Sequence, residues 1–197
     1  MGQSDIQTDN IAREAARLIH AGEVEGIDAA IHSAAASFGA SKTELPGHGL
    51  VRNHAQGMAM QTLGKEGYDQ SVLNIWETAE QLMTLLEQSL PDAQTLLVGR
   101  AAKGQIDAGV TVHVRLYTRA QITEIAQVLT EFHYDEPSFD TVDTTVGKLN
   151  RICFKDDGVA VVITRCLPEM YKNAQQDLFK DQPIETLTLN ELRRKFD

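Results

Sequence analysis

The hydrophobic period of this chain changes at Pro91, and the change constrains the fold more than any other feature. Upstream, Val72, Ile75, Trp76, Ala79, Leu82, Met83 and Leu86 recur at spacings of three and four, which a helix places on one side. Downstream, Val110, Val112, Val114 and Leu116 alternate with Thr111, His113, Arg115 and Tyr117, the period of two of a strand with unlike faces. The order is therefore helices first and a sheet second, an α+β chain.

The helical half divides further. Asn10 reads as an N-cap before Ile11, Ala15, Leu18 and Ile19, and Gly22 as the stop. A second helix is predicted over Ile27 to Phe38, closed by Gly39, with alanines that let another helix approach closely. Leu45-Pro46-Gly47-His48-Gly49 has loop composition. A helix from Leu50 to Leu63 follows, then a break over Gly64 to Gly67, and then the periodic helix from Ser71 to Leu90. No polar linker separates that last helix from the first strand, so residues 1–91 and 92–197 are expected to pack as one compact unit.

In the second half, Thr95–Val98 reads as a central strand and Val110–Tyr117 as a half-buried one. Thr118-Arg119-Ala120-Gln121 fits a capping box for a helix through Ile122, Ile125, Ala126, Leu129 and Phe132. Residues 133–147 read as acidic and irregular. Asp156-Asp157-Gly158 joins strands Lys148–Lys155 and Val159–Thr164 in a hairpin, because Asp-Gly tolerates the positive φ of a tight turn. A helix over Leu189 to Phe196 closes the chain.

Charge narrows the function classes. With 18 Lys and Arg against 28 Asp and Glu, the net charge of -10 argues against a large nucleic-acid surface or an anionic membrane as partner. Locally the balance reverses: Arg100, Lys103, Arg115 and Arg119 stand against the single acid Asp107 between Gln94 and Arg119. The two cysteines, Cys153 and Cys166, have no zinc spacing and are too few for a disulfide framework. No apolar run has the length of a membrane span, and the polar stretch Met1 to Asn10 is unlike a signal peptide, so the expected location is cytoplasmic.

Several residues invite chemistry. Gly99-Arg100 suits a phosphate loop, since glycine-turn amides and a guanidinium both bind phosphate. His113 and Arg115 share a strand face and could line an anion pocket, or they are the solvated side of that strand. His20, His32, His48 and His54 lack a cysteine or carboxylate to complete a metal set, and read as surface histidines. Cys153 has no neighbouring base in sequence to make it a nucleophile. Trp76 reads as core.

A resemblance spans most of the chain. Its residues are Ala15-Ala16-Arg17-Leu18-Ile19, Ala34-Ala35, Gly39 and Leu45-Pro46, then Val98-Gly99, Val112–Tyr117, Gly158–Thr164 and Asp181-Gln182-Pro183-Ile184-Glu185. In order and spacing these resemble a bacterial group of nucleotidyltransferase-like proteins, in which a helical N-terminal half precedes a small polymerase-β-like sheet with flanking helices. The resemblance implies a Gly-Ser or Gly-Thr after the first strand, Asp-x-Asp on the second and a third acid on a later strand. Carboxylates at i and i+2 face one way from a strand and together clamp the magnesium that bridges triphosphate oxygens. This chain keeps Gly99 but has Arg100 at the hydroxyl position, Thr111 and His113 at the carboxylate positions, and no acid within Val159–Thr164. Asp107 is the one catalytic candidate, because Asp156 and Asp157 lie in a turn.

Three functions follow in order of preference. The first is a pseudoenzyme that binds a nucleotide, a phosphorylated small molecule or a partner through Gly99, Arg100, Lys103, His113 and Arg115, without metal or cofactor. The second is a homodimeric interaction module built on the alanine-rich helices, with a vestigial cleft. The third is an active magnesium-dependent transferase with a rearranged site around Asp107.

Overall fold

The structure, a computed structural model, describes residues 3–24, 26–40, 45–107, 111–134 and 137–196. The chain is α+β, helical in its N-terminal half and built on a six-stranded mixed sheet with flanking helices in the rest. Its contacts divide it into two units. One holds the described residues through Gln70 together with Ile106 and Asp107, and the other runs from Ser71 onward.

The helical unit contains α1 (Gln3–His20), α2 (Ile27–Ser37) and the first part of α3 (His48–Ser89). Ile11, Ala15 and Leu18 of α1 pack with Ala30, Ile31 and Ala34 of α2 and with Val51 and Ala55 of α3. The alanines thus serve this unit's own core, where small side chains allow close helix packing.

Asn10 is not an N-cap, because α1 begins at Gln3. Asp5 in its first turn complements the helix dipole, and the Asp9–Arg13 ion pair at 2.9 Å carries the helix through the expected start. The stop at Gly22 is as expected: it takes φ 68°, and the amides of Gly22 and Glu23 donate back to Ile19 and Leu18. α3 starts inside the expected loop, at His48. The expected break of four residues is confined to Gly64, whose φ 67° and ψ 175° are essentially open to glycine alone. Helical backbone resumes at once and continues to Ser89.

The part of α3 from Ser71 belongs to the sheet unit, where Val72, Ile75, Ala79, Leu82, Met83 and Leu86 are buried. Glu87 accepts from both the amide and the hydroxyl of Thr95, at 2.9 and 2.7 Å, and so ties the helix to the first strand. Trp76 is half-buried, and its indole N–H donates to the Ala101 carbonyl at 2.8 Å.

The strands are β1 (Gln94–Val98), β2 (Thr111–Tyr117), β3 (Ser138–Thr144), β4 (Gly147–Asp156), β5 (Val159–Cys166) and β6 (Thr186–Thr188), in the order β3-β4-β5-β2-β1-β6. β1 and β2 are antiparallel neighbours, while β2 and β5 run parallel. Val110, the expected first residue of β2, lies outside the described residues. Register puts Leu97, Val112, Val114, Val161 and Ile163 on one face, with Ile152 and Phe154 continuing it. Tyr134, just beyond α4 (Ile122–Glu131), packs against Phe154 at 5.1 Å and so places α4 on that face.

Other boundaries moved. The cap of α4 is Gln121, not Thr118: the Glu124 carboxylate accepts from the Gln121 amide. Thr118 instead donates its hydroxyl to Asp92 at 2.6 Å. The stretch expected to be irregular contains β3, an exposed edge strand whose apolar residues Phe139 and Val142 are three apart and show no alternation. The Asp156–Val159 hairpin is as expected, with Asp157 and Gly158 at φ 45° and 82°. The final helix, α5 (Leu189–Arg193), is shorter than predicted, and Thr188 and Glu191 form its capping box.

Candidate functional site

The apolar run of β1 ends where a turn is required, and Gly99 supplies it at φ 76°. The chain then coils through residues 100–104, with the Lys103 amide donating to the Gly99 carbonyl and the Gln105 amide to that of Arg100. Val98 pairs with His113, so this turn sits beside the start of β2, and structure brings Gly99 and His113 to one end of the sheet. Arg100 is half-buried there, while Lys103 and His113 are exposed. The Gly99 amide, though, donates to the Glu185 carbonyl at 2.9 Å and is spent on the fold. Asp107 groups with the helical unit.

Arg115 departs most from expectation. A charged residue on the polar row of a half-buried strand reads as solvated, yet it is only 3% exposed. Its Nη1 donates to the carbonyls of Ala174 and Gln176, each at 2.8 Å. Both faces of β2 are in fact covered. Leu96, Val98, Tyr117 and Cys166 form an apolar layer under Ala174, Leu178 and Met170, all on the Arg115 side. This cover is the segment after β5, a 3-10 helix at Pro168–Asn173 and the loop beyond it. Nothing in the sequence marks it as a lid over β2, because its apolar contacts are too sparse to show a period.

Burial tunes the groups beneath that cover. The Cys166 thiol is pushed up to about 11 by desolvation, which outweighs the opposing effect of Arg115 and Arg165. Desolvation likewise raises the Tyr117 hydroxyl, whose ring meets Tyr171 edge-on at 5.0 Å. Burial also raises Cys153, the reverse of what a nucleophilic thiolate needs.

A cavity of about 490 Å³ opens on the same side, between the 3-10 helix, β6 and α5. Leu96 lies in its lining, with Tyr171 to Gln176 along one wall and Thr186, Thr188 and Glu191 along the other. None of Gly99, Arg100, Lys103, His113 or Arg115 lines it. Arg115 supports it from behind, through the Ala174 and Gln176 carbonyls.

Three of the four N-terminal histidines, His20, His48 and His54, join helices, and His32 bonds within its own helix. His54 meets Asp9 at 2.8 Å, His48 meets Asp28 at 2.7 Å, His20 meets the Thr62 hydroxyl and His32 the Asp28 carbonyl. The hydrogen bond from His54 is the main cause of a lowered Asp9 pKa. Among the described residues no group of three or more His, Cys, Asp or Glu is placed to hold a metal ion.

Neither a protein-family model nor a curated protein matches the chain. Solved structures similar to it include the non-canonical poly(A) polymerase complex GLD-2–GLD-3, with TM-score 0.37 and 14% identity over 50% of this chain and 37% of that one. The GLD-2/RNP-8 complex is similar at TM-score 0.37 and 15% identity over 59% and 41%. A cytoplasmic RNA terminal U-transferase is similar at TM-score 0.34 and 10% identity over 57% and 36%. This chain spans less than half the length of each of them. Likenesses so distant transfer no residue role, substrate or partner.

Proposed function

We propose that this chain is a catalytically silent nucleotidyltransferase-like protein that binds a nucleotide or another phosphorylated small molecule without transferring it. The observation that carries the reading is Arg115. On β2, where a transferase of this kind needs paired carboxylates, the polar row is Thr111, His113 and Arg115, and the guanidinium is fixed by two carbonyls. A fixed cation repels a divalent ion, and its two carbonyl bonds keep it from swinging away. Asp107 is the one remaining carboxylate candidate, and a single carboxylate does not make the paired clamp that magnesium needs.

Lys103 and His113, exposed at the Gly99 end of the sheet, support binding of an anion there, with Arg100 beside them. Arg115 is not among the ligand contacts, because its charge is committed to the fold. Titration calorimetry of ATP into the wild type and into Lys103→Ala/His113→Ala tests this. Loss of a charge-assisted hydrogen bond worth about 1.5–3 kcal/mol weakens binding by roughly ten- to a hundredfold. Equal affinity in both proteins refutes the assignment.

A further inference from the structure

We infer that the cavity beside β6 is a binding site for a small, neutral, hydroxyl-rich molecule, a free sugar or polyol, separate from the anion site at Gly99. The cavity's volume of about 490 Å³ falls within the range of roughly 300–1,000 Å³ usual for small-molecule sites. What singles it out is the chemistry of the wall. Asn173, Gln175, Gln176 and Thr186 line it, and among the described residues no hydrogen bond occupies their side chains. Amides and hydroxyls each donate and accept, as sugar hydroxyls do, so every contact can be made in either sense.

Charge on the wall is balanced. Among the described residues, Lys172 is its one cation and Glu191 its one acid. The Glu191 carboxylate already accepts from the amide and hydroxyl of Thr188, both at 2.8 Å. A phosphate would meet a single lysine opposite that carboxylate, whereas an uncharged ligand meets no penalty. Tyr171, 36% exposed, supplies the apolar surface on which the C–H face of a sugar packs, and Leu96 lies buried behind it.

The wall is also held in shape, which lowers the cost of binding. Arg115 fixes the carbonyls of Ala174 and Gln176, the Ile184 amide donates to the Gln175 carbonyl at 2.8 Å, and Ala174 and Leu178 are buried. The backbone is thus tied inward, while the side chains at 173, 175 and 176 are exposed.

Saturation-transfer NMR with glucose, maltose and sorbitol tests the site. The expected result is transfer to at least one of them, together with shifts of the side-chain amide resonances of Asn173, Gln175 and Gln176. Asn173→Ala/Gln176→Ala removes two exposed contacts and should weaken that ligand about tenfold or more. Its melting temperature should stay that of the wild type. Absence of transfer from all three probes overturns the inference, as does binding that the double variant leaves unchanged or that shifts none of these amides. Tighter binding of glucose 6-phosphate than of glucose overturns the neutral class. Lys103→Ala/His113→Ala should leave sugar binding intact. Were it to abolish sugar and nucleotide binding together, the separation into two sites would be wrong.

Discussion

Replacing Arg115 by methionine keeps most of the side-chain volume and removes the guanidinium, and the structure sets the cost. Arg115 is 3% exposed, and its two bonds at 2.8 Å both end on main-chain carbonyls. The variant leaves the Ala174 carbonyl buried without that donor, a loss of about 1–3 kcal/mol. The Gln176 carbonyl is less enclosed and recovers water in part, adding about 0.5–1.5 kcal/mol. Desolvation of the lost charge is relieved, which offsets some of this. The expected net loss is about 2–3 kcal/mol. Trp76, the single tryptophan, lies in the same unit and reports unfolding in urea. For slopes of about 1–3 kcal/mol/M, the midpoint should fall by roughly 0.7–3 M. A midpoint within a few tenths of a molar of wild type would refute the view that Arg115 fastens the 174–176 segment to the sheet. It would restore Arg115 to the list of ligand contacts.

Other perturbations test neighbouring parts of the fold. Gly104 takes φ 65°, and a Cβ there would stand 3.1 Å from Trp76, so Gly104→Ala should cost about 1–2 kcal/mol and alter the Trp76 emission spectrum. In the folded protein the Cys166 thiol should resist Ellman's reagent at pH 8 and react fully in urea, because burial raises its pKa to about 11. The stability this adds is complete below its ordinary value of 9.0 and is lost as pH rises through about 11, visible as a falling melting temperature across that window. Asp92 is shifted the opposite way, lowered by the Thr118 hydroxyl and then by the Arg119 amide. Its contribution is present above the ordinary value of 3.8 and lost as pH falls, so Asp92→Ala should flatten the acid limb of a stability–pH curve.

The legible parts of this fold were those with a strong local signal. The period change at Pro91 marked the helix-to-sheet order, and Asp157-Gly158 marked the hairpin, since each rests on residues adjacent in sequence. β3 escaped because an edge strand buries little and can carry acids on both faces. β6, only three residues long, had too little sequence to show a period.

The site was harder to read. The resemblance sets Thr111 and His113 at the carboxylate positions, while alternation leaves Arg115 either in an anion pocket or on the solvated side of the strand. Its burial depends on Ala174 and Gln176, about sixty residues away, and no local pattern encodes that. The same long-range closure hid the cavity, whose walls come from β1, the segment after β5, and β6.

Binding without transfer is tested by incubating the protein with labelled ATP, with and without magnesium, and following both affinity and label. A silent binding protein holds ATP with the same affinity in either condition and transfers no label to itself, to RNA or to other protein. Magnesium-dependent binding accompanied by transfer, both abolished in Asp107→Ala, would contradict it and identify an active transferase.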